Sequence, residues 1–328
     1  MRAVLIVNPN ATSTTRSGRD LLAHALKSRL DLAVEHTRYR GHAIELAQQA
    51  RANGIDLVIA HGGDGTVHGV VNGLLGSPGP LPSGHVPALA VVPGGSANVF
   101  ARALGIAADP MEATNQLIGL INSHRAGHNW RRIGLIDCGE RWSVLNAGMG
   151  VDAEVVAAVE AQREKGRNVT ALRYIRVTVP TLLASARRAP TLTLQLGAGE
   201  PVPGVHFAFV SNCSPWTYAN SRPVWTNPGC TFESGMGVFA ITSTKVLPTA
   251  RLARQMLSKR PKLRAKQLIR DDDIAEIRIS APDTPIATQI DGDYIGLRTA
   301  MTFRAVPNAL DVVAPPSRTG GETLRSYR

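Results

Sequence analysis

The stretch HGGDGTVHGVVNGLL, residues 61–75, decides how the rest of the chain is read. It follows a short buried strand, Leu57–Ala60, and opens an amphipathic helix marked by Val67, Val70, Val71 and Leu74. A strand that turns straight into a helix aims backbone N–H groups out of the helix N-terminus, which makes an anion site. The glycines let a phosphate approach that backbone closely. No Gly-Lys-Ser/Thr follows, so the loop is not of the Walker type. A carboxylate among phosphates, as at Asp64, calls for a metal ion or a proton to abstract. The alternative is a tight turn with Asp64 as a helix cap.

Working outward, the first third of the chain alternates short apolar runs with helix-period stretches, the pattern of a parallel sheet covered by helices. Strands are expected at Ala3–Val7, Leu32–Glu35, Leu57–Ala60 and Ala88–Val92. Leu22, Leu26 and Leu30 share one helical face, and Ala43, Leu46, Ala47 and Ala50 share another. A second loop, PGGSAN at 93–98, repeats the strand–loop–helix context, its helix running through Phe100 and Leu104. Asn8-Pro9-Asn10-Ala11-Thr12 closes the first strand at the same edge of the sheet. Each loop alone is a weak signal, but three on one edge place a ligand in one crevice.

From about residue 130 the pattern changes. TLTLQL at 191–196 alternates strictly, and 206–211, 238–242, 276–280 and 301–306 suit strands separated by Pro- and Gly-rich turns. That is the look of an antiparallel sandwich. Helices are expected at 153–162 and 246–257, and a frayed tail at the end. The fold class is therefore α/β plus β: a doubly wound nucleotide-binding domain over 1–128, a β-sandwich substrate domain over 129–313 whose last strand can return to the first, and a flexible tail over 314–328.

The chain has 328 residues, 44% of them hydrophobic, and no run long enough to span a bilayer. The apolar start is too short for a signal peptide, so Met1 is read as the start of a strand in a cytoplasmic protein. Cys138, Cys213 and Cys230 lie far apart, which argues against disulfides and zinc. His124 and His128 are four apart, but Gly127 weakens the helix that would pair them on a metal. The charge of +11 favours polyanionic partners. With 5% aromatics and none interleaved with basic residues, no nucleic-acid surface is expected. The clearest basic segment, Arg251–Arg270, holds eight Lys/Arg and no acid, and is read either as a solvated face or as attraction to anionic lipid. Trp216, Tyr218 and Trp225 either line the way in for a lipid or fill the sandwich.

The three loops, in this order and spacing, resemble the catalytic domain of bacterial diacylglycerol kinases, a lipid-kinase family related to sphingosine kinases. NAGMGVDAEV (146–155) is similar to the family's Gly-rich junction segment, and QIDGDYIG (289–296) to its late DGE signature. The resemblance implies an ATP- and Mg²⁺-dependent kinase that phosphorylates a membrane lipid, diacylglycerol foremost. The nucleotide would lie between the two domains. Asn8, Pro9, Asn10, Ala11, Thr12 and Thr37 would contact it. Gly62, Gly63, Asp64, Gly65, Thr66, Val67, His68 and Gly69 would surround its phosphates, with Gly94, Gly95, Ser96 and Asn98 opposite. Asp64 would hold the catalytic Mg²⁺. One of Asp291 and Asp293 would take the proton from the lipid hydroxyl, which of the two being open, and Asp64 is the third catalytic candidate. The protein would work from the cytoplasm as a peripheral partner of the inner membrane face, with a homodimer allowed.

Three departures from the family pattern stand out. The late motif is DGD rather than DGE, one methylene short. Gly69 follows His68 where glutamate is common. TFESGMG (231–237) replaces an Asp-rich segment, with Ser234 in place of an aspartate that binds a structural Mg²⁺. A kinase acting on NAD or another soluble alcohol, and a non-catalytic relative, are the alternative readings. No GxSxG elbow supports a hydrolase.

Overall fold

The computed structural model describes residues 1–11, 14–127, 129–150, 153, 191–219, 222–259 and 261–317. Thr12, His128, Arg260, the 153–162 helix beyond Ala153 and the tail past residue 317 lie outside the described residues.

The first part runs β1 (Arg2–Val7), α1 (Arg16–Lys27), β2 (Asp31–His36), α2 (His42–Ala52), β3 (Leu57–Gly62), α3 (Asp64–Leu75), β4 (Ala88–Pro93), α4 (Val99–Ala103) and α5 (Pro110–Arg125). Strands β2-β1-β3-β4 pair in parallel in that order. β3 and β4 are buried along their whole length, as strands covered on both faces must be. Helix α1 begins where the Thr15 side chain accepts from the Gly18 N–H and buries Leu22 and Leu26. Leu30, the third residue of that face, lies past the helix end and is still buried. The alternation of helix and strand thus gives the expected α/β layer.

One expectation needs correction. Helix α3 is not amphipathic: every residue from Thr66 to Leu75 is buried. It is covered by the sheet, by α2 and by the second domain, so no face remains for solvent. Gly69 and Gly73 make this possible. A Cβ at Gly69 would stand 3.1 Å from the Ala43 Cβ, and one at Gly73 would collide with the Ile44 carbonyl. The glutamate common at position 69 in the family would be tight here, because α2 packs on α3 at that point.

The second part adds β5 (Arg131–Asp137), β6 (Trp142–Ser143), β7 (Asn146–Met149), β8 (Leu192–Leu196), β9 (Val202–Val205), β10 (Phe207–Ser211), β11 (Thr217–Ala219), β12 (Arg222–Val224) and β13 (Met236–Ile241). After α6 (Val246–Met256) come β14 (Leu268–Ile274), β15 (Glu276–Ser280), β16 (Ile286–Ile290), β17 (Asp293–Arg298) and β18 (Ala300–Val312). A six-stranded sheet, β14-β13-β10-β7-β16-β17, faces a layer built from β15, β8, β5 and β18. All pairings within it are antiparallel. The period-2 rule sorts β10: Ala208 and Val210 point into the sandwich, while Phe209 points out to a second core capped by Leu252 of α6.

Strand β18 belongs to both halves. It pairs antiparallel with β15 and β5, then ends beside β4 in parallel register at Val312 and Leu89. One ten-stranded sheet therefore runs from the nucleotide-type layer into the sandwich.

Candidate active site

The three loops meet. Asn8 follows β1, its side-chain Oδ1 accepts from the Asn10 N–H and its Nδ2 donates to the Thr66 hydroxyl at 3.3 Å. The Asn8 N–H in turn donates to the His61 carbonyl. Gly94 N–H donates to the Gly62 carbonyl at 2.8 Å, and a Cβ on Gly95 would stand 2.7 Å from the Gly63 Cα. The two Gly-rich loops thus lie backbone on backbone. The second loop needs glycine at 94 and 95 for that contact alone, apart from any ligand. Beside it, a Cβ on Gly65 would meet nothing within 4 Å, so the first turn of α3 looks into open space.

The second loop is braced from within. Asn98, in the left-handed conformation, accepts from the Gly95 N–H at 2.8 Å and donates to the Gly95 carbonyl at 2.7 Å. Ser96 stands exposed at the loop's apex. Thr37 leaves β2 on the same sheet edge, its N–H donating to the Val7 carbonyl. Val67 and Gly69, by contrast, sit in the packing of α3, and the His68 side chain turns to the second domain.

Asp64 has a defined structural task. Its carboxylate accepts the Val99 and Phe100 N–H groups, both at 3.0 Å, and so caps α4 while standing in the first turn of α3. The two loops are therefore tied by a carboxylate as well as by glycine contact. Burial pushes its carboxyl pKa up, against the lowering by those N–H groups.

Asp291 and Asp293 are placed very differently. Asp291 is fully buried and accepts from five donors: His68 Nδ1, the Ser143 hydroxyl and the Val144, Leu145 and Asn146 N–H groups, at 2.7–3.0 Å. Burial alone would raise its pKa, but the His68 bond and charge and the other donors outweigh it, and the carboxyl is held below the usual range. Asp293 is one-third exposed, 2.9 Å from Arg40 and 3.8 Å from Arg141. Arg40 comes from the loop ahead of α2, so this pair spans the gap between the two parts of the molecule.

Sequence reasoning missed the groups that hold this arrangement. Asn72 of α3 clasps the Trp142 backbone from both sides, donating to its carbonyl at 3.1 Å and accepting its N–H at 2.9 Å. His61 is buried between loops. Its Nδ1 meets the Val92 carbonyl, which can only accept, so Nδ1 carries the proton and Nε2 accepts from the Thr14 hydroxyl at 3.0 Å. The Asn72 signal, a buried amide on an apolar helix, was present in the sequence. The Arg40–Asp293 pair left no local trace.

Among the described residues no group of three or more His, Cys, Asp or Glu could hold a metal. The Ser234 hydroxyl donates to its own loop's carbonyls at Thr231 and Gly235. Trp225 is buried, Trp216 stacks on Phe209, and Tyr218 packs under the Arg102 guanidinium, so these aromatics fill the fold. A separate cavity of about 510 Å³ lies past the C-terminal end of α4, lined by Arg102, Gln116, Arg131, Ser214 and Pro315 among others. It touches none of the Gly-rich loops.

Residues 2–126 match the diacylglycerol kinase catalytic domain. Over that stretch the chain is similar to bacterial lipid kinases. Over 113 residues it is 38% identical to the diacylglycerol kinase of Bacillus subtilis, a stretch covering 32% of this chain and 33% of that one. An uncharacterized protein of Synechocystis is 24% identical over 95% of this chain and 70% of its own. The diacylglycerol kinase match spans about a third of that relative's length. The fold is that of a crystal structure of a diacylglycerol kinase from Bacillus anthracis, with TM-score 0.69, 18% identity and coverage of 96% and 97%.

Proposed function

We propose that the chain is an ATP-dependent lipid kinase that transfers the γ-phosphate to the hydroxyl of a membrane lipid, diacylglycerol being the acceptor we favour. One observation carries this reading above the others. Two Gly-rich loops lie locked backbone to backbone at a sheet edge, and Asp293 of the other part of the molecule pairs with Arg40, in the loop ahead of α2. Residues 1–128 would bind the nucleotide, and 129–313 would present the acceptor.

The donor set fits ATP carrying its own Mg²⁺. Magnesium bound through phosphates needs only one or two protein carboxylates, which suits a site where the described residues form no metal cage. When bound, Mg·ATP supplies the phosphoryl group and neutralises its charge. Around it, the start of α3 and the PGGSAN turn offer backbone N–H groups, with Asn8, Thr37, Thr66 and Ser96 at their edges. Asp64 keeps the two loops in register and has outer lone pairs for the metal.

Asp293 is the base we favour over Asp291. Five donors occupy Asp291, so taking up a proton there would break a buried network. Asp293 would accept the proton of the acceptor hydroxyl as its oxygen bonds to the γ-phosphorus. The bond from that phosphorus to the bridging oxygen breaks, and ADP departs. Such an enzyme would work at the inner face of the membrane, from the cytoplasm.

The test is transfer of label from radioactive ATP to a panel of lipids with NAD alongside. Labelled lipid and unlabelled NAD are expected. Efficient phosphorylation of NAD with an inert lipid panel would overturn the reading.

A further inference from the structure

The two most exposed large apolar side chains of the described surface are neighbours. Val246 and Leu247, 74% and 83% exposed, form the first turn of α6. The helix is fixed from behind, where Leu252 is buried with Phe209, Phe239 and Ile241 on the outer face of the six-stranded sheet. Its apolar tip therefore projects from a firm base. Water is a poor neighbour for two such side chains, and moving them into an apolar layer is favourable.

The surroundings are uniformly cationic. Lys245, Arg251, Arg254, Lys259, Lys262 and Lys266 are all exposed, and no acidic residue occurs between Glu233 and Asp271. Among the described residues no ion pair engages any of these six. Three open depressions flank the helix. Arg251, Arg254 and Lys262 line one, Arg251, Arg264 and Lys266 a second, and Arg222, Arg254 and Lys259 a third. Each offers two or more cations to a small anionic group.

We propose that this face of α6 docks on an anionic lipid bilayer, with Val246 and Leu247 inserted at the acyl boundary and the cations on headgroup phosphates. The proposal rests on the lipid-kinase reading only for its biological sense, since the surface argument stands alone. A basic helix with an apolar edge suits the interface between headgroups and chains. A nucleic-acid backbone would use the cations but has no place for two aliphatic side chains. It would also want stacking aromatics, and Trp216 and Trp225 are packed inward. The ribbon β11–β12 links the docking face to the first domain: Arg222 borders α6, and Tyr218 packs under Arg102 beside α4. Docking would thus hold the Asp64-capped helix in a fixed relation to the membrane.

The experiment is co-sedimentation of the full chain with vesicles of phosphatidylcholine, alone or mixed with phosphatidylglycerol. Binding is expected only to the mixed vesicles, weakening as salt rises. Val246→Glu with Leu247→Glu should lower it at least about tenfold, since two apolar insertions are lost. Replacing Arg254, Lys259 and Lys262 by Gln should lower it about 100-fold at low salt, roughly fivefold per charge. Leu247→Trp supplies a gain of signal: its emission should shift to the blue on mixed vesicles alone. No blue shift, or binding indifferent to the glutamate pair, overturns the proposal, as does tighter binding to duplex DNA than to vesicles. Kinase assays in neutral-detergent micelles separate the two readings. Micellar turnover without vesicle binding sinks the docking face, and vesicle binding with no lipid labelled in either format sinks the kinase.

Discussion

At Asp291 the backbone takes φ 49°, a left-handed conformation that aspartate tolerates better than most residues. That turn carries the carboxylate into the donors from Ser143 to Asn146, and leaves Asp293, two residues on, at the surface. The two acids of one motif should therefore fail differently when amidated. Asp291→Asn should cost about 3–5 kcal/mol in urea denaturation, because an amide nitrogen would face N–H groups. Asp293→Asn should leave stability within about 0.5 kcal/mol and lower kcat by roughly 10²–10⁴ with ATP affinity retained. The pH dependence follows from the depressed Asp291 pKa. Its stabilisation is fully present above the unfolded value of 3.8 and is lost only as pH falls through the lower folded value. That acid limb should vanish from the unfolding curves of Asp291→Asn. Equal denaturation midpoints for both variants would return the base assignment to Asp291.

Elements here meet at glycines, and the consequences differ by position. Gly95 touches Gly63 across the two loops, whereas Gly119 sits in the middle of α5 with nothing within 4 Å of a Cβ. Gly95→Ala is expected to destabilise the fold by about 1–3 kcal/mol and weaken ATP binding, as overpacking forces the loops apart. Gly119→Ala should raise stability by about 0.5–1 kcal/mol through helix propensity alone. Thermal melts with and without Mg·ATP check both. This contrast also marks what the sequence could disclose. GGDGT and PGGSAN were legible because strand, glycine turn and helix are adjacent in the chain. The helix α5 was legible too, through the Asp109 cap and Pro110 at its first position, though the pattern went unread. The role of Asp291 was not, because its partners lie 145 to 223 residues away. Nor was the burial of α3 on all sides, which depends on Asn72 finding the Trp142 backbone.

For the molecule as a whole, β18 is the decisive element, thirteen residues shared between two layers. A hinge between the two parts would have to bend β18 or break its pairing with β4. Calorimetry should accordingly give one transition whose van't Hoff and calorimetric enthalpies agree, where freely jointed domains would give two. Two resolved transitions would show the shared strand to be energetically idle. The same strand bears on biogenesis. The chain is made from its amino end, and β4 exists long before the segment that will lie against it. Until residues near Val312 emerge, the nascent nucleotide layer ends in an unpaired row of backbone groups beside β4, a template for strangers. A fragment stopping at residue 128, although it spans the whole catalytic-domain match, should therefore aggregate when produced alone. Adding the 300–317 segment in trans should restore its solubility, so that a late part of the message completes an early part of the fold.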